Sequence, residues 1–558
     1  MANNILSING ASSEIEKNVY SFLSTSNVTC QSTEFQIEQY IANAPGKIKK
    51  AIRPFGYYQP KIEIIKNPKQ KDCWNLLLNI DLAQPILIDQ VDIKIIGDFK
   101  SGNNKPIFNQ NFPLKKGDRL IQSVYESFKS KLLMQALEIG YLDAKYTVNK
   151  VEIYPDKNKS NITLHFDTGK RYTIQSIGIE QTPDFLSDDF VKKLIHLKPT
   201  NYFTNSQLFD LRKKLASTGY FDLISVEIDH SNKAQNSVPI LVKLTPGDRI
   251  KYSTGLGFST DSGARMGFDY NQSRVTDYGY QFNSKLSLSN VISEFSTGIK
   301  MPSKSRPLAK WYNLDLGYRR ERTDTASSDT SKLGISQTRI HDNKWQNIYY
   351  IDLVDEQFEN GDILNESLLF VPGTSWSLTK SDNPSIPKKG YRIQTELKGA
   401  SSSLISDVSF VQLNLNYKSI FPVLDRNRII YRGQIGTTLI DDLSLLPSSY
   451  RFYTGGDNSI RGFNYNTISP LNDDGDAIGA KHLFTSSIEY EHRIASQWAL
   501  AVFTDFGSAF SDNFKLKKSV GAGARWFSPI GPVRFDVGVP INDTDNDFQI
   551  HITVGPDF

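Results

Sequence analysis

From about residue 250 to the end, apolar and polar residues alternate one by one. Tyr391, Ile393, Thr395 and Leu397 are separated by Arg392, Gln394, Glu396 and Lys398, and Val411, Leu413, Leu415 and Tyr417 interleave with Gln412, Asn414 and Asn416. Phe535, Val537 and Val539 interleave with Arg534 and Asp536 in the same way. A period of two puts the two sets on opposite faces of a β-strand. Turns rich in Gly, Asn, Asp and Ser divide the runs. A soluble sandwich would need a second sheet to cover each apolar face and rarely continues so far without a helix. A barrel in a bilayer needs no cover, because lipid meets its outer face and closure pairs every strand edge. At roughly 19 residues per strand and turn, residues 249–558 accommodate a transmembrane antiparallel β-barrel of about 16 strands.

The first half has a different pattern, repeated three times. IRPFGYYQPKIEI, LEIGYLDAKYTV and ASTGYFDLISVEI place Gly-Tyr steps at Gly56, Gly140 and Gly219. A helix-like run precedes each step, SFKSKLLMQALEI and NSQLFDLRKKLAS among them, with apolar residues at intervals of three and four, and an alternating strand follows each step. A glycine just past a helix end supplies the left-handed backbone that turns the chain into the strand. With strands such as LIDQVDIKIIG opening the unit and SNITLHFDTG closing it, each unit reads β-α-α-β-β. This order resembles POTRA domains, expected at 1–85, 86–170 and 171–248, ahead of the barrel at 249–558.

Composition narrows the function. The 558 residues carry 64 Lys+Arg against 60 Asp+Glu, a net charge of +4, so no concentrated basic face recommends a nucleic-acid partner. No stretch approaches the roughly 20 apolar residues of a spanning helix. The start, MANNILSING, has neither a basic nor an apolar leader region, so the chain either lacks a signal peptide or is a mature form with an added Met, and the mature form is the expectation. The two cysteines, Cys30 and Cys73, both fall in the first repeat, and spacing alone leaves their pairing open. Nucleophile elbows, H-E-x-x-H, C-x-x-C and P-loops are absent from the sequence, so an enzyme is not expected and no catalytic residue is assigned. The run NDDGDAIG (472–479) lacks the bidentate Glu of a calcium loop and reads as an acidic loop, with neither metal nor cofactor assigned.

Strands near 427–438, 481–492, 497–507, 519–527, 530–539 and 546–554, counted back from the end, leave about 439–480 as the sixth outward loop. Such length marks a functional loop. Its Tyr450, Phe452, Tyr453, Phe463 and Tyr465 are bulky enough to predict that it folds into the barrel lumen. Arg461 in that lumen needs acceptors. Strand phase supplies them: with Trp498, Leu500 and Val502 facing lipid, Asp505 and Phe503 point inward, and with Phe484, Ile488 and Tyr490 facing lipid, Glu489 and Glu491 do. Asp505 is the expected partner of Arg461, with Glu489 or Glu491 as second acceptor, and Gly462 allows close backbone approach.

Ile460-Arg461-Gly462-Phe463 resembles the [VI]-R-G-[FY] loop motif of the Omp85 superfamily. Phe503-Thr504-Asp505-Phe506-Gly507 resembles its F-x-D-x-G strand motif, and GPVRFDVGVP and the strand ending in Phe558 resemble its last hairpin. Three POTRA-like repeats and the phrase RPFGYYQP are most similar to the TamA-like autotransporter assembly factors of that superfamily. The resemblance implies an insertase-like outer-membrane protein with periplasmic POTRA domains, working without a cofactor. Its implied partners are unfolded autotransporter and other outer-membrane clients, outer-membrane lipid and a TamB-like protein anchored in the inner membrane. A two-partner-secretion pore or a passive porin or receptor is the alternative. Closure must pair a first strand near 251–259, carrying Gly255 and Gly257, with a last strand carrying Phe548, Ile550 and Ile552. Gly257 is expected opposite Ile550, and the glycines and Pro556 predict a weak seam.

Overall fold

The computed structural model describes residues 6–23, 28–70, 73–98, 112–229, 236–323, 326–360, 363–383, 386–473, 475–528, 531–541, 548–555 and 557. The first repeat runs β1 (Leu6–Asn9), α1 (Ser13–Leu23), α2 (Glu34–Ile52), β2 (Lys61–Gln70) and β3 (Cys73–Asp81). Its sheet order is β1-β3-β2, with β3 parallel to β1 and antiparallel to β2. Alternation along β3 buries Trp74, Leu76, Leu78 and Ile80 on one face. Ile15 and Val19 of α1 and Ile48 and Ile52 of α2 pack with Leu78 and Ile80. Cys30 and Cys73 form a disulfide, which resolves the pairing that spacing left open.

The second repeat contains β4 (Leu87–Ile96), α3 (Gln122–Glu138), β5 (Lys145–Tyr154) and β6 (Lys159–Asp167), in the order β4-β6-β5. Between β4 and α3, residues 99–111 lie outside the described residues and residues 112–121 form no helix, so the described part of this repeat holds one of its two expected helices. The third repeat contains β7 (Thr173–Gln181), α4 (Asp188–Leu194), α5 (Asn205–Ala216), β8 (Phe221–Ile228) and β9 (Ser237–Pro246), in the order β7-β9-β8.

The Gly-Tyr steps have a clear structural purpose. Gly56, Gly140 and Gly219 have φ of 88°, 99° and 75°, the left-handed region that glycine alone enters freely. Each step also receives the start of the next unit. Ile86 N–H donates to Gly56 O (2.7 Å), Tyr172 N–H to Gly140 O (2.8 Å) and Gly247 N–H to Tyr220 O (2.9 Å). A Cβ on Gly56 would stand 2.5 Å from Leu120 O, and one on Gly140 2.3 Å from Phe203 O. The repeated signal is therefore a joint as well as a helix stop.

Residues 181–196 and 213–224 of the third repeat group with the barrel in one compact unit. There Tyr220 Oη donates to Gly279 O (2.7 Å), Ser187 N–H to Asp277 O (3.0 Å) and Gln281 Nε2 to Thr218 O (2.9 Å).

Sixteen antiparallel strands, β10 (Ile250–Ser259) to β25 (Gln549–Val554), form a closed barrel. Strands needed only to cross a bilayer would have about 9 to 11 residues. The fifth to eighth are longer: β14 (Lys310–Arg322), β15 (Ala326–Ile340), β16 (Gln346–Asn360) and β17 (Ile363–Ser381) extend their ladders past that length. The closing strands follow as β19 (Phe410–Val423), β20 (Asn427–Leu439), β21 (His482–Arg493), β22 (Trp498–Phe510), β23 (Lys517–Ser528) and β24 (Gly531–Ile541). Trp498, Leu500, Val502, Ile488 and Tyr490 are exposed on the outer face, whereas Phe503, Asp505, Glu489 and Glu491 are buried inside. That inward face positions the site.

Candidate functional site

The long connection between β20 and β21 enters the lumen. Ile460, Phe463 and Ile468 bury one another, and Phe452 stands against β20, where a Cβ on Gly436 would lie 2.4 Å from its ring. The loop presents Arg461 to the inner wall of β21, β22 and β24.

All the guanidinium nitrogens of Arg461 donate. Nε and NH2 donate to the two oxygens of Asp505 (2.8 and 2.9 Å), NH1 to Glu489 (2.7 Å) and Asp536 (3.1 Å), and NH2 also to Ser487 (3.3 Å). Its backbone N–H donates to Asp505 as well (3.0 Å). The cation lies over the ring of Phe503, 3.4 Å from the centroid. A planar fork on one carboxylate is a geometry that Lys cannot reproduce.

Glu491 serves different arginines: it accepts from Arg428 and from Arg525 (3.2 Å), not from Arg461. The second and third acceptors of Arg461 are Glu489 and Asp536. Strand phase put both glutamates inward but could not select between them, since they stand one above the other on β21. Sequence reasoning missed Asp536, although its alternation with Phe535 and Val537 marks it as inward. It also missed Arg525, fully buried, which donates to Glu489 (2.7 Å) and Asp536 (2.6 Å).

The ion pairs around the loop form one network. Arg461, Arg525, Arg428, Arg534 and Lys418 meet Asp505, Glu489, Glu491, Asp536 and Asp557. Cations and carboxylates are equal in number, so the network desolvates little net charge. Asp557, next to the terminal residue, is held by Arg428 (2.9 Å) and Arg534 (2.6 Å).

Two glycines bring loop and wall together. Gly462 has φ 95°, and a Cβ on it would lie 3.2 Å from the carbonyl carbon of Gly538 on β24. A Cβ on Gly538 would lie 2.6 Å from Gly462 N and 2.8 Å from Arg461 C. Gly507 serves strand pairing instead, with a Cβ there 2.3 Å from Phe484 O. The loop is thus fixed by charge and by backbone contact at the same point.

The seam lies beside this lock. Among the described residues β10 meets β25 through one ladder pair, Ser259 with Thr553, while it pairs with β11 (Gly263–Gln272) from Ile250 to Ser259. Continued antiparallel, that register sets Gly257 level with Gly555 and corrects the expected pairing of Gly257 with Ile550. β25 has ended one residue earlier, at Val554, so among the described residues Gly255 and Gly257 lie on an edge that β25 does not cover. Ile550 and Ile552 lie on β25, Phe548 just before it and exposed, and Phe558 outside the described residues.

Comparison with known proteins follows the same outline. Residues 5–82 match the POTRA domain TamA domain 1, residues 172–247 a POTRA repeat described as surface antigen variable number repeat, and residues 245–558 the Omp85 superfamily domain. The chain is 24% identical over 376 residues to the outer membrane protein assembly factor BamA of Nitratidesulfovibrio vulgaris, covering 64% of this chain and 47% of that one. It is 23% identical to BamA of Neorickettsia risticii, covering 69% and 55%. It thus spans about half the length of these curated relatives. In fold it is similar to the crystal structure of Haemophilus ducreyi BamA lacking POTRA domains 1–3, with a TM-score of 0.67 and 17% identity over 83% of this chain and 99% of that one. With a family match over more than half its length, the chain belongs to the Omp85 superfamily of outer-membrane β-barrels with periplasmic POTRA domains.

Proposed function

We propose that this protein assembles other β-barrels in the outer membrane by opening its β10–β25 seam to a client strand. The seam carries the reading. From Ile250 to Phe258 the β25-facing edge of β10 has no ladder partner among the described residues, and its Tyr252, Leu256 and Phe258 side chains are exposed. In a bilayer, unpaired backbone N–H and C=O groups cost several kcal/mol each, so such an edge favours any strand that completes it. A client hairpin that adds there gains its hydrogen bonds as it enters lipid, which lowers the barrier to insertion. The step needs geometry alone, without a cofactor or covalent chemistry.

The clients we propose are unfolded autotransporters and related outer-membrane proteins, and the assembly type is TamA-like. The match of residues 5–82 to a TamA-type first POTRA domain supports that choice. Each POTRA sheet has three strands with the last in the centre, leaving two edges for strand addition. The first repeat is the proposed dock for a TamB-like partner, and lipid delivery along the same arm is compatible with this arrangement.

Ser259→Cys with Thr553→Cys tests the seam, since these residues face each other. Oxidation should stop insertion of an unfolded autotransporter barrel into vesicles, and reduction should restore it. Equal insertion rates for the locked and reduced forms would rule out passage through the seam.

A further inference from the structure

A second carboxylate of the lumen loop lies at the seam. Asp457, four residues before Arg461, is buried and makes contacts on both sides of the join. On the β10 side it accepts from Ser259 Oγ (2.6 Å) and Thr260 Oγ1 (2.8 Å), and its own N–H donates to Asp261 Oδ2 (2.8 Å) in the β10–β11 turn. On the β25 side it accepts from His551 Nδ1 (2.6 Å). Across the join itself, the ladder pair Ser259–Thr553 is supplemented by Ile552 N–H donating to Thr260 Oγ1 (3.3 Å). Among the described residues, one loop residue thus makes more hydrogen bonds to the two terminal strands than they make to each other.

Asp261, Asp457 and His551 have ligand atoms within 4.8 Å of one another, a set that invites a divalent cation. The hydrogen bonding opposes it. Gly462 N–H donates to His551 Nε2 (2.9 Å), and a backbone N–H can only donate. The ring hydrogen therefore sits on Nδ1, directed at Asp457, and no imidazole lone pair is left for a metal. The trio is a hydrogen-bonded clasp.

We infer that Asp457 is the clasp that closes the barrel seam, and that ionisation of Asp261 weakens it. The inference rests on the seam being the route for clients. The groups facing Asp261 are Asp457 and Tyr465 from the loop and His551 from β25, while Arg432 of β20 donates to the Asp457 carbonyl (3.4 Å). Burial, with the Asp457 charge adding to it, pushes the Asp261 carboxyl up to about 7. Burial also acts on Asp457, but hydrogen bonds from His551, Ser259 and Thr260 outweigh it and hold that carboxyl below its ordinary value. Adjacent acids driven apart in this way carry one charge between them below about pH 7, and the second charge appears as the pH passes that value. The closed state binds a proton on Asp261 that an opened, hydrated turn would release. Closure is therefore most favoured below about pH 4, is lost progressively as pH rises to about 7, and is constant above that.

The test places spin labels on Leu288→Cys and Trp526→Cys, both exposed and on opposite sides of the seam, in the full chain in phosphatidylcholine vesicles. The native cysteines are paired and stay unlabelled. Five strand spacings separate the labels, about 24 Å when closed. The widened population should rise up to about tenfold between pH 5.5 and 7.5. Asp261→Asn should abolish that rise, and Asp457→Asn should widen the seam several-fold at every pH. Should Asp457→Asn fail to fold, Ser259→Ala with Thr260→Val removes two donors to the same oxygens and should also widen it. Distances unaltered by these changes overturn the clasp, and a pH response that survives Asp261→Asn overturns the role of Asp261. A seam that widens in the variants while autotransporter insertion keeps its rate upholds the clasp and refutes the insertion reading instead.

Discussion

Replacing Arg461 with Ala isolates one carboxylate. Glu489 and Asp536 each keep Arg525, at 2.7 and 2.6 Å. Asp505 has no other arginine among the described ion pairs, and its side chain is fully buried. Removing one member of a buried pair typically costs about 3–5 kcal/mol, mostly for the charge left behind. The Arg461 backbone N–H can still reach Asp505, which places the cost at the lower end. The loop-docking equilibrium should therefore shift roughly 10²- to 10³-fold. The strand ladders of the wall do not pass through Arg461, so the barrel should keep its folded mobility on unheated gels. Hydrogen exchange of the Gly462 amide, buried against His551, should accelerate by that factor, and the loop should become sensitive to protease. Arg461→Ala with Asp505→Asn removes the orphaned charge and should recover most of the loss. Unchanged exchange at Gly462 in the single variant, or a double variant worse than the single, would refute this account of the lock.

Gly538→Ala should release the loop with every charge in place, because its Cβ would lie 2.6 Å from Gly462 N; wild-type protease protection of the loop would count against backbone contact as a second anchor. Cys30→Ser with Cys73→Ser opens a disulfide spanning 43 residues, for which chain entropy gives up to about 4 kcal/mol. Thermal unfolding of a fragment holding the first two repeats should fall accordingly, while barrel mobility on gels stays fixed.

Much of the barrel was legible because its physics is local. Lipid outside and polar lumen inside force strict alternation, so Trp498, Leu500 and Val502 determined the orientation of Asp505 without knowledge of any neighbour. The loop was legible from length and aromatic content. What escaped depends on register and on contacts distant in sequence. Arg525 sits among small residues in GAGARWF, where alternation is faint. Gly538 matters only because Gly462 lies against it. His551 alternates with Ile550 and Ile552, a readable inward signal, but its partner Asp457 is 94 residues away. The Gly257 pairing failed for the same reason: one strand's composition carries no information about the register of its partner.

The loop has two kinds of attachment, and their difference suits a gate. Around Arg461 the charges balance within a buried network reaching β20 to β24, where moving one member exposes several others to an unfavourable medium. The Asp457 carboxylate is met by hydroxyls and a neutral imidazole tautomer, and its N–H by one acid that can take up a proton, groups replaceable by water at small cost; the one cation there, Arg432, reaches only its carbonyl (3.4 Å). Strand pairing has the same asymmetry, with β16 and β17 joined from Gln346–Ser377 to Asn360–Ile363 while β10 and β25 share a single pair among the described residues. Thermal opening follows the weakest joint, so the barrel should part at the seam while the Arg461 end keeps the loop seated. On the proposed function, a loop anchored at one end and releasable at the other, four residues apart, would let the seam open and re-close without the barrel losing its internal order.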